Sequence, residues 1–549
     1  MTISSISSFG LSDIPSLLII LIIGYVTRFY YRYFTRINPI PGPIPLPIIG
    51  NTHQKIGCSL SEWYQSLHKK YGDIFEVNYA GQRIVVLCRP DLIENMNTTS
   101  TKTKYPIRFN NTEGLVEYGV SAVGVGHNND PKSWKFNRQF FTQAMLTPSF
   151  NHQAIEWTNE LWNEMESYWN KIGKNQELDL PKWMHRFTNE IIFKIATGVK
   201  NNSVAAYYYT VLFPESTKSL SETEREKMKY SEEFVQSIET YMSGVGYFFV
   251  LNKFVRDNVP FFREKIKGLL KNKENLFNNI TNIVKERRTE IENTPSDQPL
   301  RHDLLTSHIT ANTPRDINII KHSEDVDMSR PMTDKEIFGN IFEAIIAGTD
   351  TSASMLCFAA YYLAHYPEVK KRLRQEFDEV FGNDLTKPVT FKELEELQYC
   401  DAVIKEVNRH SPVAFMIGRV SAESDNVGGY EWPKGSVFHM YFGSIMKNKD
   451  YWTDPEKFDP DRFYKVEESD KDKYLPEKKK MKNTYSMFGG GIRMCPGRKL
   501  AMIELKCLIT LIYRKYDIDL VDIDAPLKYD PGFINSCHEL AAKIRPRKF

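Results

Sequence analysis

The chain lacks paired cysteines and has almost no excess charge. Its seven cysteines are scattered over 549 residues with no C-x-x-C pair, which argues against a disulfide framework and against a structural zinc site. A formal net charge of +2 gives no reason to expect a nucleic-acid partner. These absences indicate a protein of a reducing compartment that does not act on nucleic acid.

Linkers, repeats and a dinucleotide-binding motif are also missing. No Gly/Ser-rich linker or repeat divides the chain after residue 50, so we expect one large domain. The longest polar interruption, residues 293–331, is predicted to be a surface loop between two helices. The glycine triplet at 489–491 has neither the spacing nor the preceding strand–helix unit of a dinucleotide fingerprint. Because one large domain is expected to take up the chain after residue 50, no separate flavin domain is expected.

The N-terminus carries a short, almost wholly apolar segment. Residues 17–26 (LLIILIIGYV) are followed by the aromatic-rich residues 29–34, which would have to help the segment reach the roughly 20 residues of a spanning helix. A secretory signal would need a basic start and a small-residue cleavage site, and neither is present. A buried helix of a soluble core would have to bury apolar surface all round. We favour a single-pass membrane anchor over residues 1–37.

Arginines and prolines follow the apolar segment. Arg28, Arg32 and Arg36 lie on its C-terminal side, so the positive-inside rule places the bulk of the chain in the cytosol. Residues 38–51 (NPIPGPIPLPIIGN) contain five prolines, which exclude a helix and stiffen the segment into a spacer. The sequence therefore predicts an anchor at 1–37, a proline-rich hinge at 38–51 and one folded domain at 52–549.

A glycine-rich loop with a single cysteine, FGGGIRMCPGRKLA (488–501), precedes a helical pattern. Pro496 suits a first helical turn, and apolar residues recur at helical spacing from Leu500 onward. Cys495 is therefore expected at a helix N-terminus, where the helix dipole and nearby Arg493 favour the thiolate. A thiolate is either a nucleophile or a metal ligand, and the loop alone leaves both open.

Residues 333–367 predict a helix of about thirty residues. Thr333 and Glu336 form a capping box at its start, and Pro367 marks its end. In the middle, AGTDTS (347–352) interrupts an apolar surface with a glycine, an acid and hydroxyl groups. Taken alone, this pattern fits either a kink with a solvated acid or a functional feature.

Two shorter motifs pair residues along predicted helix faces. Glu406 and Arg409 are spaced i, i+3, and Trp134 and Arg138 are spaced i, i+4. Taken alone, the first pair reads most simply as a surface ion pair, which contributes little to stability, and the second is an equally weak signal.

Together these motifs resemble the cytochrome P450 family of haem-thiolate monooxygenases. The family's cysteine-loop pattern is Phe-x-x-Gly-x-Arg-x-Cys-x-Gly, and it is matched here by Phe488, Gly491, Arg493, Cys495 and Gly497. AGTDTS is similar to the distal-helix motif, EVNR (406–409) to Glu-x-x-Arg, and WKFNR (134–138) to Trp-x-x-x-Arg. FDPDRF (458–463) is similar to the Pro-Glu-Arg-Phe segment, with aspartate replacing glutamate. The motifs follow the family's order from the anchor to the C-terminus.

The resemblance implies a mainly α fold with small β-sheets (α+β), a single large haem-binding domain after the anchor. It implies haem b as cofactor, with Cys495 as the proximal thiolate on iron, where it favours O–O cleavage. The residues expected to contact haem are Trp134, Arg138, Arg419, Phe488, Arg493, Cys495 and Gly497. Arg419 is placed only by its distance beyond the Glu-x-x-Arg motif. A buried structural network is expected from Glu406, Arg409 and Arg462.

The resemblance places the AGTDTS segment on the distal side of the haem, where it would leave room for ligands and deliver protons. Ala347 and Gly348 would leave room for dioxygen and substrate. Asp350 and Thr351 would act as an acid–alcohol pair that delivers protons in a pocket that otherwise excludes water.

The function that the resemblance implies is insertion of one atom of dioxygen into an apolar organic substrate. Electrons would come from a separate NADPH-cytochrome P450 reductase, with cytochrome b5 as a second partner, so NADPH serves only indirectly. A basic face is expected to meet the reductase, formed by Lys132, Lys135, Lys478, Lys479, Lys480, Lys482, Arg498 and Lys499. The anchor would hold the protein in the endoplasmic reticulum membrane with its catalytic domain in the cytosol.

Two alternatives stay open. A haem-thiolate isomerase or dehydratase that rearranges peroxides would need no reductase, although such members tend to lack the acid–alcohol pair. A non-catalytic haem protein would have no use for a proton relay.

Overall fold

A computed structural model describes residues 14–120, 123–173, 176–317, 329–464, 483–529 and 532–548. The predicted fold class is confirmed: the described chain is mainly helical with small sheets. The lysines predicted at 478–480 and 482 lie outside the described residues.

The helices are numbered in chain order. They are α1 Ile14–Phe34, α2 Leu60–Tyr71, α3 Glu113–Glu117, α4 Pro131–Leu146, α5 Pro148–Ile172, α6 Leu180–Thr197, α7 Ser203–Ala206, α8 Glu222–Val250, α9 Lys253–Asn258, α10 Pro260–Asn293, α11 Leu304–Thr310, α12 Asp334–His365, α13 Pro367–Phe381, α14 Phe391–Glu396, α15 Gln398–His410, α16 Phe442–Ile445 and α17 Arg498–Lys515.

The strands form three sheets. The largest has the order β1-β2-β7-β4, the second β3-β9-β8 and the third β5-β6. In the largest sheet β2 and β7 are parallel, with Ile84 opposite Val437, and the other neighbours are antiparallel. The strands are β1 Ile74–Tyr79, β2 Gln82–Leu87, β3 Leu178–Asp179, β4 Met416–Val420, β5 Asp425–Val427, β6 Tyr430–Trp432, β7 Val437–Tyr441, β8 Tyr516–Leu520 and β9 Ala541–Pro546.

Helix α1 stands apart from the core. None of its residues is buried, and its apolar side chains from Leu17 to Ile23 are exposed, which excludes the alternative of a buried soluble helix. By length and apolar composition it qualifies as a membrane span.

The hinge contains no helix, as predicted, but it is not a free spacer. The backbone N–H of Glu76 donates to the carbonyl oxygen of Pro41 at 2.8 Å. Asn51 donates from its backbone to Asn78 at 2.7 Å and from its side chain to Pro43 at 3.2 Å. The hinge is therefore held along β1.

Helix α12 crosses the main core, and its predicted capping box is present at Thr333 and Glu336. It packs closely on α6, where a Cβ added to Gly348 would lie 2.6 Å from Cγ1 of Ile192. Because no side chain fits between them, glycine at this position sets the approach of the two helices.

Two expectations about helices are corrected. The predicted surface loop 293–331 contains α11, whose residues are all buried and whose N-cap Asp303 pairs with buried Arg287. The loop prediction was wrong because polar residues of this segment, such as Asp303, form ion pairs inside the protein and do not face solvent. The sequence FKELEELQYCDAVIKEVNRH (391–410), which carries Glu406 and Arg409, indicates one helix, but it forms two, because Leu397 with φ −76° and ψ 72° separates α14 from α15.

Candidate active site

The cysteine loop folds back on itself before α17. The backbone N–H of Cys495 donates to the carbonyl oxygen of Phe488 at 2.8 Å. Gly491 has φ +66°, and a Cβ there would lie 2.5 Å from the carbonyl oxygen of Thr98, so this turn requires glycine. The helix begins at Arg498, three residues after the cysteine and slightly later than Pro496 suggested.

Arginines from three other parts of the chain hold this loop. Arg138 of α4 donates from Nη2 to the carbonyl oxygen of Met494 at 2.6 Å. Arg108 donates from Nη2 to the carbonyl oxygen of Arg493. Arg419 of β4 donates from Nη2 to the carbonyl oxygen of Gly490 at 3.1 Å. Side chains distant in sequence thus converge on the backbone that carries the cysteine.

Arg493 points away from the cysteine and into the protein. Its Nε donates to the carbonyl oxygen of Pro106 at 2.6 Å and its Nη2 to that of Asn128 at 2.5 Å. Its guanidinium lies 4.2 Å from the centre of the Trp134 ring, whose N–H donates to the carbonyl oxygen of Val125 at 3.2 Å. The Nη1 of Arg493 is buried and has no hydrogen-bond partner among the described residues.

Positive charge accumulates here with little compensation. Burial, with the neighbouring guanidinium groups, lowers the pKa of Arg493 and of Arg419 to about 9 and that of Arg138 to about 10. Burial also lowers the pKa of Arg108. A buried cation without a partner is unfavourable, so this cluster has the character of a site for an anion.

The thiol of Cys495 behaves differently from the expectation. Burial raises its pKa, against the lowering effects of the Gly497 backbone N–H, Arg108 and Arg138. The expected effect of the helix start is present in the Gly497 N–H, but burial outweighs it, so the protein's own groups leave the pKa of Cys495 raised. A metal ion bound by this sulfur would favour the thiolate, because metals deprotonate a coordinating thiol.

The middle of α12 presents an accessible face inside the molecule. Ala347 is exposed and Thr351 half-buried, although 67% of the helix's most apolar stretch is buried. The Thr351 hydroxyl donates to the Ala347 carbonyl oxygen at 2.7 Å. A side chain at Gly348 would meet Ile192 of α6, so glycine is needed here for helix packing, and the room it leaves for dioxygen stays a prediction.

Asp350 lies on the α6 side of the helix. Its Oδ1 contacts Nε2 of His185, and Nδ1 of His185 lies 3.6 Å from Oε1 of Glu239 in α8. Glu239 also pairs with Arg186 at 2.9 Å, and 43% of its side chain is exposed. The structure thus brings Asp350 to His185, and through it toward the surface, rather than to the Thr351 hydroxyl.

The Glu-x-x-Arg motif is buried against the FDPDRF segment. Arg409 donates two hydrogen bonds to Glu406, at 2.7 and 2.8 Å, and both side chains are fully buried. Nε of Arg462 lies 3.5 Å from Oε1 of Glu406. This burial excludes the alternative of a surface ion pair.

Sequence reasoning missed Arg108, His185 and Glu343. Glu343 accepts a hydrogen bond from the backbone N–H of Gly126 at 2.7 Å and so fixes the loop whose Asn128 carbonyl meets the arginine cluster. None of the three lies in a motif. The one available signal was a titratable residue within an apolar segment, as His185 is in WMHRF.

Comparisons with known proteins agree with this geometry. The family model described as Cytochrome P450 matches residues 40–544. Similar proteins include Cytochrome P450 3A15 of Cavia porcellus, 24% identical over 529 residues that cover 93% of this chain and 92% of the relative. Cytochrome P450 3A31 of Mesocricetus auratus is 26% identical over 482 residues, covering 87% and 85%. Cytochrome P450 3A41 of Mus musculus is 24% identical over 535 residues, covering 94% of each chain.

The match spans the fold and every motif described above, while an identity near one quarter indicates a shared family rather than a shared substrate. The chain belongs to the cytochrome P450 family and is a cytochrome P450 monooxygenase.

Proposed function

We propose that this monooxygenase inserts one atom of dioxygen into an apolar organic substrate, using haem bound through Cys495 and electrons from a separate NADPH-dependent reductase. The observation that carries the proposal is one thiol, on a loop before a helix, with four arginines at that loop, of which Arg419 and Arg493 are buried and Arg108 and Arg138 partly buried. Haem has the iron that a thiolate binds and the two propionates that such a cluster would neutralise.

The residues present fit haem. Arg493 keeps a buried Nη1 with no partner among the described residues, as a donor to a propionate would. A Cβ on Gly497 would meet only the Cys495 sulfur, at 4.0 Å, so space is left beside the thiol. Haem, when bound, supplies the activation of dioxygen.

The chain's own residues would hold the cofactor in defined ways. Cys495 would bind the haem iron through its sulfur, with Phe488 and Gly497 shaping the loop around it. Arg138, Arg419 and Arg493 would donate to the propionates. Trp134 would act through its stacking on Arg493, because its N–H already has a partner in the Val125 carbonyl.

Protons would enter through α6 and α12. Glu239 is exposed, His185 lies between it and Asp350, and Thr351 stands next to the acid on the accessible face of α12. Histidine can accept a proton on one ring nitrogen and release one from the other. We propose that Asp350 receives protons from His185 and that the Thr351 hydroxyl holds a proton at the accessible face of α12, where haem would supply the dioxygen chemistry.

The network of Glu406, Arg409 and Arg462 would be structural. It holds α15 to the segment before the cysteine loop, and the Asp459 backbone N–H also donates to Glu406 at 2.8 Å. Removing one member of a buried pair leaves an uncompensated charge. We therefore assign these residues to the stability of the proximal side.

Aromatic side chains support an apolar substrate. Phe249 of α8 meets Phe533 with ring centres 4.9 Å apart, and both are only partly buried. Tyr118, Tyr241 and Phe248 stack nearby but are buried core residues. The partly buried pair is therefore the better candidate for substrate contact.

The reductase would dock on the face that carries Lys135, Arg498 and Lys499. Lys135 lies one residue from Trp134 and is exposed, and Arg498 opens α17 three residues after Cys495. Basic residues near the thiolate would steer an acidic flavoprotein and raise the association rate. Cytochrome b5 would compete for the same face.

The membrane would be that of the endoplasmic reticulum, with residues 1–37 as anchor, 38–51 as hinge and 52–549 as the cytosolic catalytic domain. Exposed α1 supports the anchor. Phe254 and Phe261, 72% and 80% exposed, support a second lipid contact by the α9–α10 region.

Isotope labelling tests the reaction. A spectral screen of apolar compounds would find a ligand, and turnover with reductase and NADPH under ¹⁸O₂ should then place one labelled atom in the product. Rearrangement of a peroxide without reductase or dioxygen would instead support the isomerase or dehydratase. Binding without turnover of any ligand would support a non-catalytic haem protein.

A further inference from the structure

A cavity of about 560 Å³ lies between α1, the hinge and β1, far in sequence from the cysteine loop. Four arginines line it against a single acid, together with aromatic rings of α1 and polar groups of the hinge and sheet. The lining arginines are Arg28, Arg32, Arg36 and Arg83, and the acid is Glu76.

Two of the arginines are already used to fasten the hinge. Nε of Arg36 lies 2.6 Å from Oε1 of Glu76, and Arg83 donates to Oε2 of the same carboxylate at 2.5 Å. Arg83 also donates to the carbonyl oxygens of Ile37 and Asn38 at 2.7 and 2.6 Å. Glu76 is thereby occupied on both oxygens and cannot neutralise further charge in the cavity.

Arg28 and Arg32 are left without such partners. Both are exposed, and neither meets an acid or a carbonyl oxygen among the described residues. Their i, i+4 spacing places them on one face of the helix, about 6 Å apart along its axis. The headgroup layer on one side of a bilayer is of similar thickness, roughly 5–8 Å.

The surroundings match a lipid rather than a soluble anion. Helix α1 continues from Arg28 toward its N-terminus into the exposed apolar side chains of residues 17–23, and Ile48 of the hinge is 72% exposed. Tyr25 lines the cavity between the apolar residues and Arg28, and Phe29 lines it between Arg28 and Arg32. A phosphate can be held by two guanidinium groups while acyl chains follow the apolar surface.

We propose that this cavity binds the headgroup of an anionic phospholipid, with Arg28 and Arg32 as its ligands. The bound lipid would then fix the anchor against the catalytic domain. Anionic lipids bind a nearby basic residue about fivefold more favourably than zwitterionic lipids do, so the two arginines together should give a preference of about 25-fold.

The test uses the full chain with haem, in nanodiscs of phosphatidylcholine that contain a trace of photo-crosslinking phosphatidylserine or phosphatidylcholine. Crosslinks at residues 25–51 are counted by mass spectrometry. The decisive variant exchanges neighbours, Thr27→Arg with Arg28→Thr and Tyr31→Arg with Arg32→Tyr. It keeps composition and net charge but turns both guanidinium groups about 100° away from the cavity.

The proposal is supported if the parent chain crosslinks phosphatidylserine far more than phosphatidylcholine and the exchanged chain crosslinks the two lipids about equally. An unaltered carbon monoxide spectrum of that variant shows that its catalytic domain is folded. Equal crosslinking of phosphatidylserine and phosphatidylcholine to the parent chain overturns the proposal. An undiminished preference for phosphatidylserine in the exchanged chain also overturns it, because the preference would then come from general surface charge. Displacement of phosphatidylserine by inorganic phosphate would assign the cavity to a free anion and also overturn it.

Discussion

Replacing His185 should separate stability from proton delivery. In His185→Leu, the Asp350 carboxylate, whose side chain is only 13% exposed, loses its partner. An unsatisfied buried group of this kind costs about 1–3 kcal/mol, a noticeable part of a total stability of roughly 5–15 kcal/mol. His185→Gln can still donate a hydrogen bond to Asp350 but cannot carry a proton, so its loss of stability should be below about 1 kcal/mol.

Catalysis should respond to both variants alike. A positioned acid–base group contributes about 10²–10⁴-fold to a proton transfer, and water can replace part of this, so we expect product per NADPH to fall about tenfold or more. The lost electrons should appear as hydrogen peroxide or water. The solvent isotope effect on turnover in D₂O should rise, because proton delivery becomes slower than the other steps.

The assay measures product, NADPH and peroxide in one reaction, beside denaturant unfolding of each variant. Lys182→Gln is the matched control, because Lys182 lies on the same helix and pairs only at the surface, with Asp179 at 3.0 Å. Normal coupling and a normal isotope effect in His185→Gln would refute the route through His185. Equal stability of His185→Leu and the parent would refute the contact with Asp350.

Three further predictions concern the relay, the partner and the membrane. Thr351→Ala should bind haem and substrate yet divert electrons to peroxide or water, and unchanged coupling would reduce Thr351 to a helix residue. Lys135→Glu with Lys499→Glu should slow reduction by the flavoprotein and weaken the dependence of that rate on salt, because the electrostatic screening length falls from about 10 Å at 0.1 M salt to about 3 Å at 1 M. An equal loss in peroxide-driven turnover would mean that these lysines maintain the haem site. Removal of residues 1–37 should release much of the protein from membranes with its haem spectrum intact, and loss of haem would show that the segment belongs to the folded core.

Features set by neighbours in sequence were predictable. The capping box at Thr333 and the proline at 367 delimit α12 because helix ends depend on a few adjacent residues. The cysteine loop was predictable for the same reason, since its turns need glycine at fixed positions such as Gly491. The fold class followed from the family resemblance that these local motifs carry.

Features set by packing were not predictable. His185 meets Asp350 across 165 positions, and no local pattern tells which face of α6 meets α12. The packing of Gly348 against Ile192 was likewise not predictable, because sequence does not show which helix lies over this glycine. Burial reversed the expected pKa shift of Cys495, since desolvation depends on what the rest of the chain places around the thiol.

The central claim is that Cys495 is the haem ligand, and the spectrum of the reduced carbon monoxide complex tests it most directly. The parent should show the thiolate-type band, and Cys495→His should lose it together with monooxygenase activity. Cys58→Ser, a change at a half-buried cysteine outside the arginine cluster, should leave both intact. A thiolate-type band that persists in Cys495→His would contradict the account.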